Sequence, residues 1–216
     1  MFATKKLVRG LVAKIRKVER ETLDALRSGR VEQEPALTDR LLGVMEHVLN
    51  DETIGGVTWR VKTLTDRGRG AQETEFGADF LAAFQAQLED FNVAKGFLGQ
   101  SKLVEPSQSF AGAEVKHLKR QCERMLSHSS ASYVFLYSQQ SGIVVVPASE
   151  VLAARDCNPH ELTTKSLPKF YEKHFECFIG DLDIKSADPQ ALEVLRERYR
   201  ARRLIQLSGA VTQRRG

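Results

Sequence analysis

An α/β fold is what the spacing of apolar residues predicts. Two stretches near the N-terminus carry them at helical intervals, the middle of the chain switches to a period of two, and a further helical stretch separates that region from two more strand-like runs. The first helix covers residues 4–28, with Leu7, Leu11, Ile15, Val18, Ala25 and Leu26 on one side and Arg9, Arg16 and Arg20 on another. It ends near Gly29. After a polar connector containing Pro35, a second helix over 36–50 presents Leu37, Leu41, Val44, Met45, Val48 and Leu49, and Gly55 and Gly56 then punctuate the chain. Residues 57–65 alternate around Trp59 as a strand.

A polar turn over 66–74 leads to strands over 76–87 and 95–104, joined through Glu89, Asp90 and Asn92, for which an antiparallel hairpin is the economical arrangement. Residues 111–127 place Val115, Leu118, Cys122, Met125 and Leu126 at helical spacing, and strands over 133–137 and 143–146 flank Ser141-Gly142. The segment 150–185 is mixed, with an extended piece expected at 175–179. A last helix opens with Asp188 as N-cap and Pro189 at its first position and continues over 191–207. These elements divide the chain into a basic N-terminal helical arm (1–35), a core (36–150) and a C-terminal extension with a basic helix (151–216).

The 216 residues, 42% of them apolar, suffice for a sizeable core. No run of eighteen apolar residues is present, so no membrane span is expected, and no apolar segment follows the first lysines as in a secretory signal. The first eighteen residues are free of acids, as in a transit peptide, but Glu19, Glu21 and Asp24 continue the same helical pattern. Three cysteines make no disulfide framework, and a reducing cytoplasm is the expected setting. The net charge of +4 hides an uneven distribution: residues 1–20 and 196–216 each hold seven basic residues against one acidic, leaving −8 between them. Basic ends on an acidic body suit a polyanion-binding protein, although two solvated helix faces account for the same charges.

The chemistry-bearing residues lie in the hairpin. Gln100 and Lys102 are two apart on a strand, so both side chains leave the same face while Ser101 turns away. Asp79 opens the neighbouring strand. A carboxylate and an amide oxygen on adjacent strands can share a hard cation, Mg²⁺ or Mn²⁺, and a lysine beside them can position water and stabilise charge developing on a phosphate. Glu75, four residues before Asp79, shares its parity if the strand extends that far, and Gly77 can bend it elsewhere.

The order helix, three strands, helix, strand, together with Glu75-Phe76-Gly77-Ala78-Asp79 and Gly99-Gln100-Ser101-Lys102, resembles the PD-(D/E)xK nuclease superfamily. Gln before x-Lys resembles the Mrr-type restriction endonucleases and related double-stranded DNA endonucleases of bacterial antiphage defence. The resemblance covers roughly residues 36–147 and implies a restriction endonuclease-like αβββαβ core with flanking N- and C-terminal helices. It implies that Asp79 binds metal, that Gln100 and the Ser101 carbonyl complete the metal shell, and that Lys102 is the catalytic lysine. A glutamate in the first core helix and a glutamine in the helix after the motif are frequent in such proteins, and Glu46 and Gln121 match those positions. Gln100, neutral where the usual residue is anionic, leaves metal binding dependent on Asp79 and on Glu75 or Glu46.

On a helical projection Gln121 falls between the apolar stripe and a basic face of Lys116, Arg120 and Arg124, where it can touch a phosphate, orient Lys102 or simply be solvated. Arg196, Arg200 and Arg203 recur along the expected last helix as a track for backbone phosphates, or as a surface for an acidic neighbour. Cys157-x-x-His160 and His174-x-x-Cys177 have ligand types and spacing that zinc accepts, although cysteine and histidine in an otherwise apolar segment are also ordinary core residues. The sequence thus points to a Mg²⁺-dependent deoxyribonuclease acting on double-stranded DNA in the cytoplasm, as a homodimer or with a regulatory or targeting subunit of a defence system. The competing reading is a catalytically inactive nuclease-fold subunit for DNA binding or assembly.

Overall fold

The computed structural model describes residues 5–65, 77–89, 91–185, 194 and 203–211. The chain is mixed α/β. Its elements are α1 (Lys5–Arg27), α2 (Glu34–Leu49), β1 (Thr53–Ile54), β2 (Val57–Thr65), β3 (Phe80–Leu88), β4 (Phe91–Leu103), α3 (Ala113–His128), β5 (Ser132–Ser138), β6 (Gly142–Pro147), α4 (Ala148–Ala153), a single 3₁₀ turn at Pro159–Glu161, β7 (Lys165–Ser166), α5 (Leu167–Phe175) and β8 (Arg203–Val211). The strands form one sheet in the order β1-β2-β8-β3-β4-β5-β6-β7. Among the described residues no helix is long and apolar enough to cross a membrane.

The expected hairpin is present: β3 and β4 pair antiparallel from Phe80 opposite Gly99 to Leu88 opposite Phe91. Gly99 is required there, because a Cβ at this position would lie 2.3 Å from the ring of Phe80. Beyond Gly99, β4 continues to Leu103 without β3 beside it and pairs with β5 in parallel, Gln100 opposite Val134 and Lys102 opposite Leu136.

Period-two burial along the central strands splits the apolar side chains into two layers. One face of the sheet packs Phe80, Phe84, Phe97, Phe135 and Ile205 against α1, α2 and α5, and the other packs Leu81, Leu98, Val134 and Leu204 against α3 and α4. Phe97 meets Phe170 edge-on at 5.1 Å and Phe80 meets Phe135 at 5.0 Å, the offset geometry that ring quadrupoles favour.

Four expectations are corrected. Helix α2 starts at Glu34, not 36: Pro35 sits in its first turn, where a missing N–H costs nothing, and does not break the chain as a connector proline. The N-terminal segment is no arm, because Leu7, Leu11, Ile15 and Val18 are at most 1% exposed, and burying each stabilises by about 1.5–3 kcal/mol. Residues 176–179 form a turn, not an extended piece, after α5 has ended at Phe175. Of the helix expected over 191–207, Val194 is helical and residues 203–207 are strand.

That last strand is the largest departure. β8 lies between β2 and β3, antiparallel to the first and parallel to the second, so the C-terminal extension forms the middle of the sheet. The reason is burial on both faces: Leu204 enters one apolar layer and Ile205 and Leu207 the other, as a central strand requires and a one-sided helix does not. Leu204→Ala is accordingly expected to cost about 2–5 kcal/mol in urea-monitored unfolding. A loss below about 0.5 kcal/mol would place Leu204 on a surface instead.

Candidate active site

The offset between the start of β3 and the end of β4 creates the site. With β3 absent beyond Gly99, the N–H groups of Ser101 and Leu103 that point to that side need other acceptors, since buried backbone donors are seldom left unpaired. Two carboxylates supply them. Asp79 Oδ2 accepts from the Ser101 N–H at 2.9 Å, and Glu34 Oε2 accepts from the Leu103 N–H at 3.0 Å. The second oxygen of Glu34 takes the ammonium of Lys102 at 3.0 Å.

Gln100 completes the group. Its Nε2 donates to Asp79 Oδ2 at 2.7 Å and to the Ser101 carbonyl at 3.1 Å, while its Oε1 is buried without a hydrogen-bond partner. The amide hydrogens therefore occupy the place between two oxygens that a cation would take. A half-turn of the amide would aim Oε1 at the same place, a move that becomes favourable only with a positive charge there. Asp79, Gln100 and the Ser101 carbonyl thus fit a hard cation, with Glu34 close enough that its charge acts on Asp79. Among the described residues no group of three or more His, Cys, Asp and Glu side chains is placed to hold a metal, so a site here draws on amide and carbonyl oxygens as well as carboxylates.

Burial and the charge of Glu34 raise the Asp79 carboxyl from 3.8 to about 6, opposed by the Ser101 N–H, Lys102 and Arg203. Behind the carboxylates, Thr38 Oγ1 lies 2.8 Å from Ser101 Oγ and 3.0 Å from the Glu34 carbonyl, tying α2 to β4. On the opposite face, in α3, burial pushes the Cys122 thiol up to about 12, and the charge of Lys102 opposes that shift.

Asp79, Gln100, Ser101 and Lys102 are thus brought together as expected. Gln121 is near: Gly77, at φ 71°, runs so close to α3 that a Cβ on it would lie 2.3 Å from the Gln121 carbonyl oxygen, and Gln121 Oε1 is buried without a partner. Glu46 is not near. It stands three turns along α2 from Glu34, about 18 Å at 1.5 Å per residue, and the glutamate that α2 delivers is Glu34. Glu75 lies outside the described residues. Sequence reasoning missed Glu34, although an acidic residue followed directly by proline is a helix-start signal.

Lys116, Arg120 and Arg124 are exposed along one face of α3. Arg196 and Arg200 fall outside the described residues. Arg203 is no phosphate contact: it is 8% exposed and its guanidinium is committed to Asp39. The zinc clip does not form. The His174 ring is buried edge-on against Phe84 and Phe97 with Nδ1 3.1 Å from the Ile179 carbonyl, His160 Nε2 meets the Val104 carbonyl at 2.9 Å, Cys157 is half-buried, and Cys177, on a left-handed turn at φ 66°, has its thiol beside the Lys95 ammonium. The chain matches no family model, no curated protein and no solved structure.

The raised Asp79 carboxyl sets a pH-dependent cost. The cost of ionising Asp79 in the fold is complete above pH 6, shrinks as the pH falls from 6 toward 3.8, and is gone below 3.8, where the group is protonated in both folded and unfolded chains. Both hydrogen bonds to Asp79 end on one oxygen, which an asparagine retains. Asp79→Asn is therefore expected to stabilise the protein at pH 8 by up to about 3 kcal/mol, with the gain fading by pH 4 in urea titrations. A variant less stable than the parent at pH 8 would contradict the assignment.

Proposed function

We propose that the protein is a metal-dependent endonuclease hydrolysing DNA phosphodiester bonds, a PD-(D/E)xK-type enzyme of the D…QxK variety and the nuclease effector of a bacterial restriction or antiphage defence system. The observation that carries this reading is the convergence of Asp79, Gln100, Lys102 and Glu34 on the open end of one hairpin, in the chain order α2, β2, β3, β4, α3, β5 expected of an αβββαβ core. Against that order stand two departures: β1 intervenes between α2 and β2, and β8 is inserted between β2 and β3 in the sheet.

Asp79, Gln100 and the Ser101 carbonyl would hold Mg²⁺ or Mn²⁺, with Glu34 as the second carboxylate in place of Glu46. The bound ion supplies a Lewis acid for the scissile phosphate and acidifies its water. Lys102 orients the attacking water and offsets charge on the phosphate, and Glu34, already bonded to Lys102, holds that ammonium in line. Gln121 is the candidate contact to the phosphate from the other side. The exposed Lys116, Arg120 and Arg124 present a track for the backbone of double-stranded DNA. Cutting both strands calls for a homodimer or a targeting subunit.

One observation favours a second reading, a non-catalytic DNA-binding or assembly subunit: Gln100 is neutral, so the site carries less negative charge than a Glu would give it. Cleavage of supercoiled plasmid separates the two. With Mg²⁺ or Mn²⁺, nicking or linearisation is expected, abolished by EDTA and reduced at least 100-fold by Asp79→Ala or Lys102→Ala, on the order of 3 kcal/mol of barrier. Salt-sensitive DNA binding with no cleavage under any condition would establish the subunit reading instead.

The basic track has its own test. Changing Lys116, Arg120 and Arg124 together to Gln is expected to weaken duplex binding and to flatten the dependence of log affinity on log salt by about 2–3 units, at roughly 0.9 per phosphate contact. An unchanged slope would remove α3 from the interface.

A further inference from the structure

The first residue of β8 brings a charged side chain into the protein beside the site. Arg203 pairs in register with Phe80, the residue after Asp79, and is 8% exposed. Its guanidinium grips the Asp39 carboxylate through Nε and through Nη2, the latter at 3.0 Å, and Nη2 also donates to the Pro35 carbonyl at 3.2 Å. Pro35 and Asp39 are one turn apart at the start of α2, next to Glu34. Helix starts leave backbone groups unsatisfied and tend to fray, and α2 has no side-chain cap at Gln33. The first turns are held from outside the helix: by the Thr38–Ser101 hydroxyl contact, the bonds that Glu34 itself makes, and the Arg203 fork.

We propose that Arg203 is a positioning residue of this site: by locking the first turns of α2 to the middle of the sheet, it sets where the Glu34 carboxylate stands relative to Lys102 and the Leu103 N–H. A planar fork that bonds a carboxylate in two places and a carbonyl in a third fixes orientation as well as distance, which a lysine ammonium does not. The site is thereby completed from the far end of the chain, 164 residues from Asp39. That Glu34 is placed by Arg203 is a statement of geometry; what the placed carboxylate does rests on the nuclease reading.

The Leu103 amide reports the placement without reference to activity, because Glu34 is its acceptor. Hydrogen exchange followed by NMR in the full chain is the experiment, with Glu34→Ala, Arg203→Met, Arg203→Lys and Asp39→Ala. Glu34→Ala, which removes the acceptor, sets the scale, expected to speed exchange at Leu103 at least 10-fold. Arg203→Met and Asp39→Ala are expected to approach that value, with Arg203→Lys between them and the parent, while the amides of Ala82 and Ala83 in β3 keep their protection. Asp39 is half exposed, so Asp39→Ala keeps the test open if Arg203→Met fails to fold. Unchanged Leu103 exchange in a folded variant, or an equal loss across the sheet, would overturn the proposal.

Plasmid cleavage adds the second readout: a lower kcat with KM for DNA unchanged in Arg203→Met supports positioning, and a change confined to KM argues against it. Selective Leu103 exposure in a protein that cuts no DNA would uphold the role of Arg203 and sink the nuclease reading alone.

Discussion

β3 begins at Phe80 while β4 runs on past its partner to Leu103, and the two amides left facing nothing are the constraint around which the site is arranged. Backbone N–H groups at the margin of a core demand acceptors. Here the acceptors are the carboxylates of Asp79 and Glu34, which stand in for the missing strand. Burial, with the repulsion from Glu34 added to it, holds the Asp79 carboxyl near 6. Lys102 and Arg203 offset part of it. A backbone irregularity is thereby converted into a concentration of negative charge with one lysine beside it, an arrangement that folding alone does not favour and that cation and phosphate chemistry can use.

The five polar side chains come from four parts of the topology. Asp79 stands at the entry to β3, Gln100 and Lys102 on the stretch of β4 that runs past β3, Glu34 on the first turn of α2, and the arginine that steadies α2 on β8. The C-terminal strand is therefore part of the same physical unit as the hairpin. Its place between β2 and β3 joins residues more than 120 positions apart along Phe80–Gln87 of β3, so the sheet is not complete, nor the start of α2 anchored, until β8 is in place.

The local parts of this arrangement were legible. Gln100 and Lys102 share a face because strands alternate, and Asp79 lies beside them because a short turn forces the hairpin; neither inference needs anything beyond neighbouring residues. The residues that sequence reasoning misplaced are those whose role depends on something distant. Glu34 matters because of an amide on β4, and nothing in its own neighbourhood reveals that amide. Arg203 reads as one of a helical series of arginines until Leu204, Ile205 and Leu207 are seen to be buried on opposite faces. His174 has the spacing of a metal ligand from Cys177, yet the aromatic layer takes its ring and the Cys177 thiol lies beside the Lys95 ammonium.

By itself the sequence determined the α/β class, the N-terminal helices, the hairpin and the Asp79, Gln100, Lys102 constellation, because each is set by periodicity, turn residues or parity over a dozen residues or fewer. Only the tertiary structure decided that 203–211 is a central strand, that α2 rather than a distant glutamate on the same helix supplies its first residue to the site, and that an arginine from the chain's end holds it there. The physical reason is the same in all three cases. Burial on two faces, an unpaired amide and a buried charge each acquire their energetic weight from partners far away in the chain, and local propensity is too weak to oppose them.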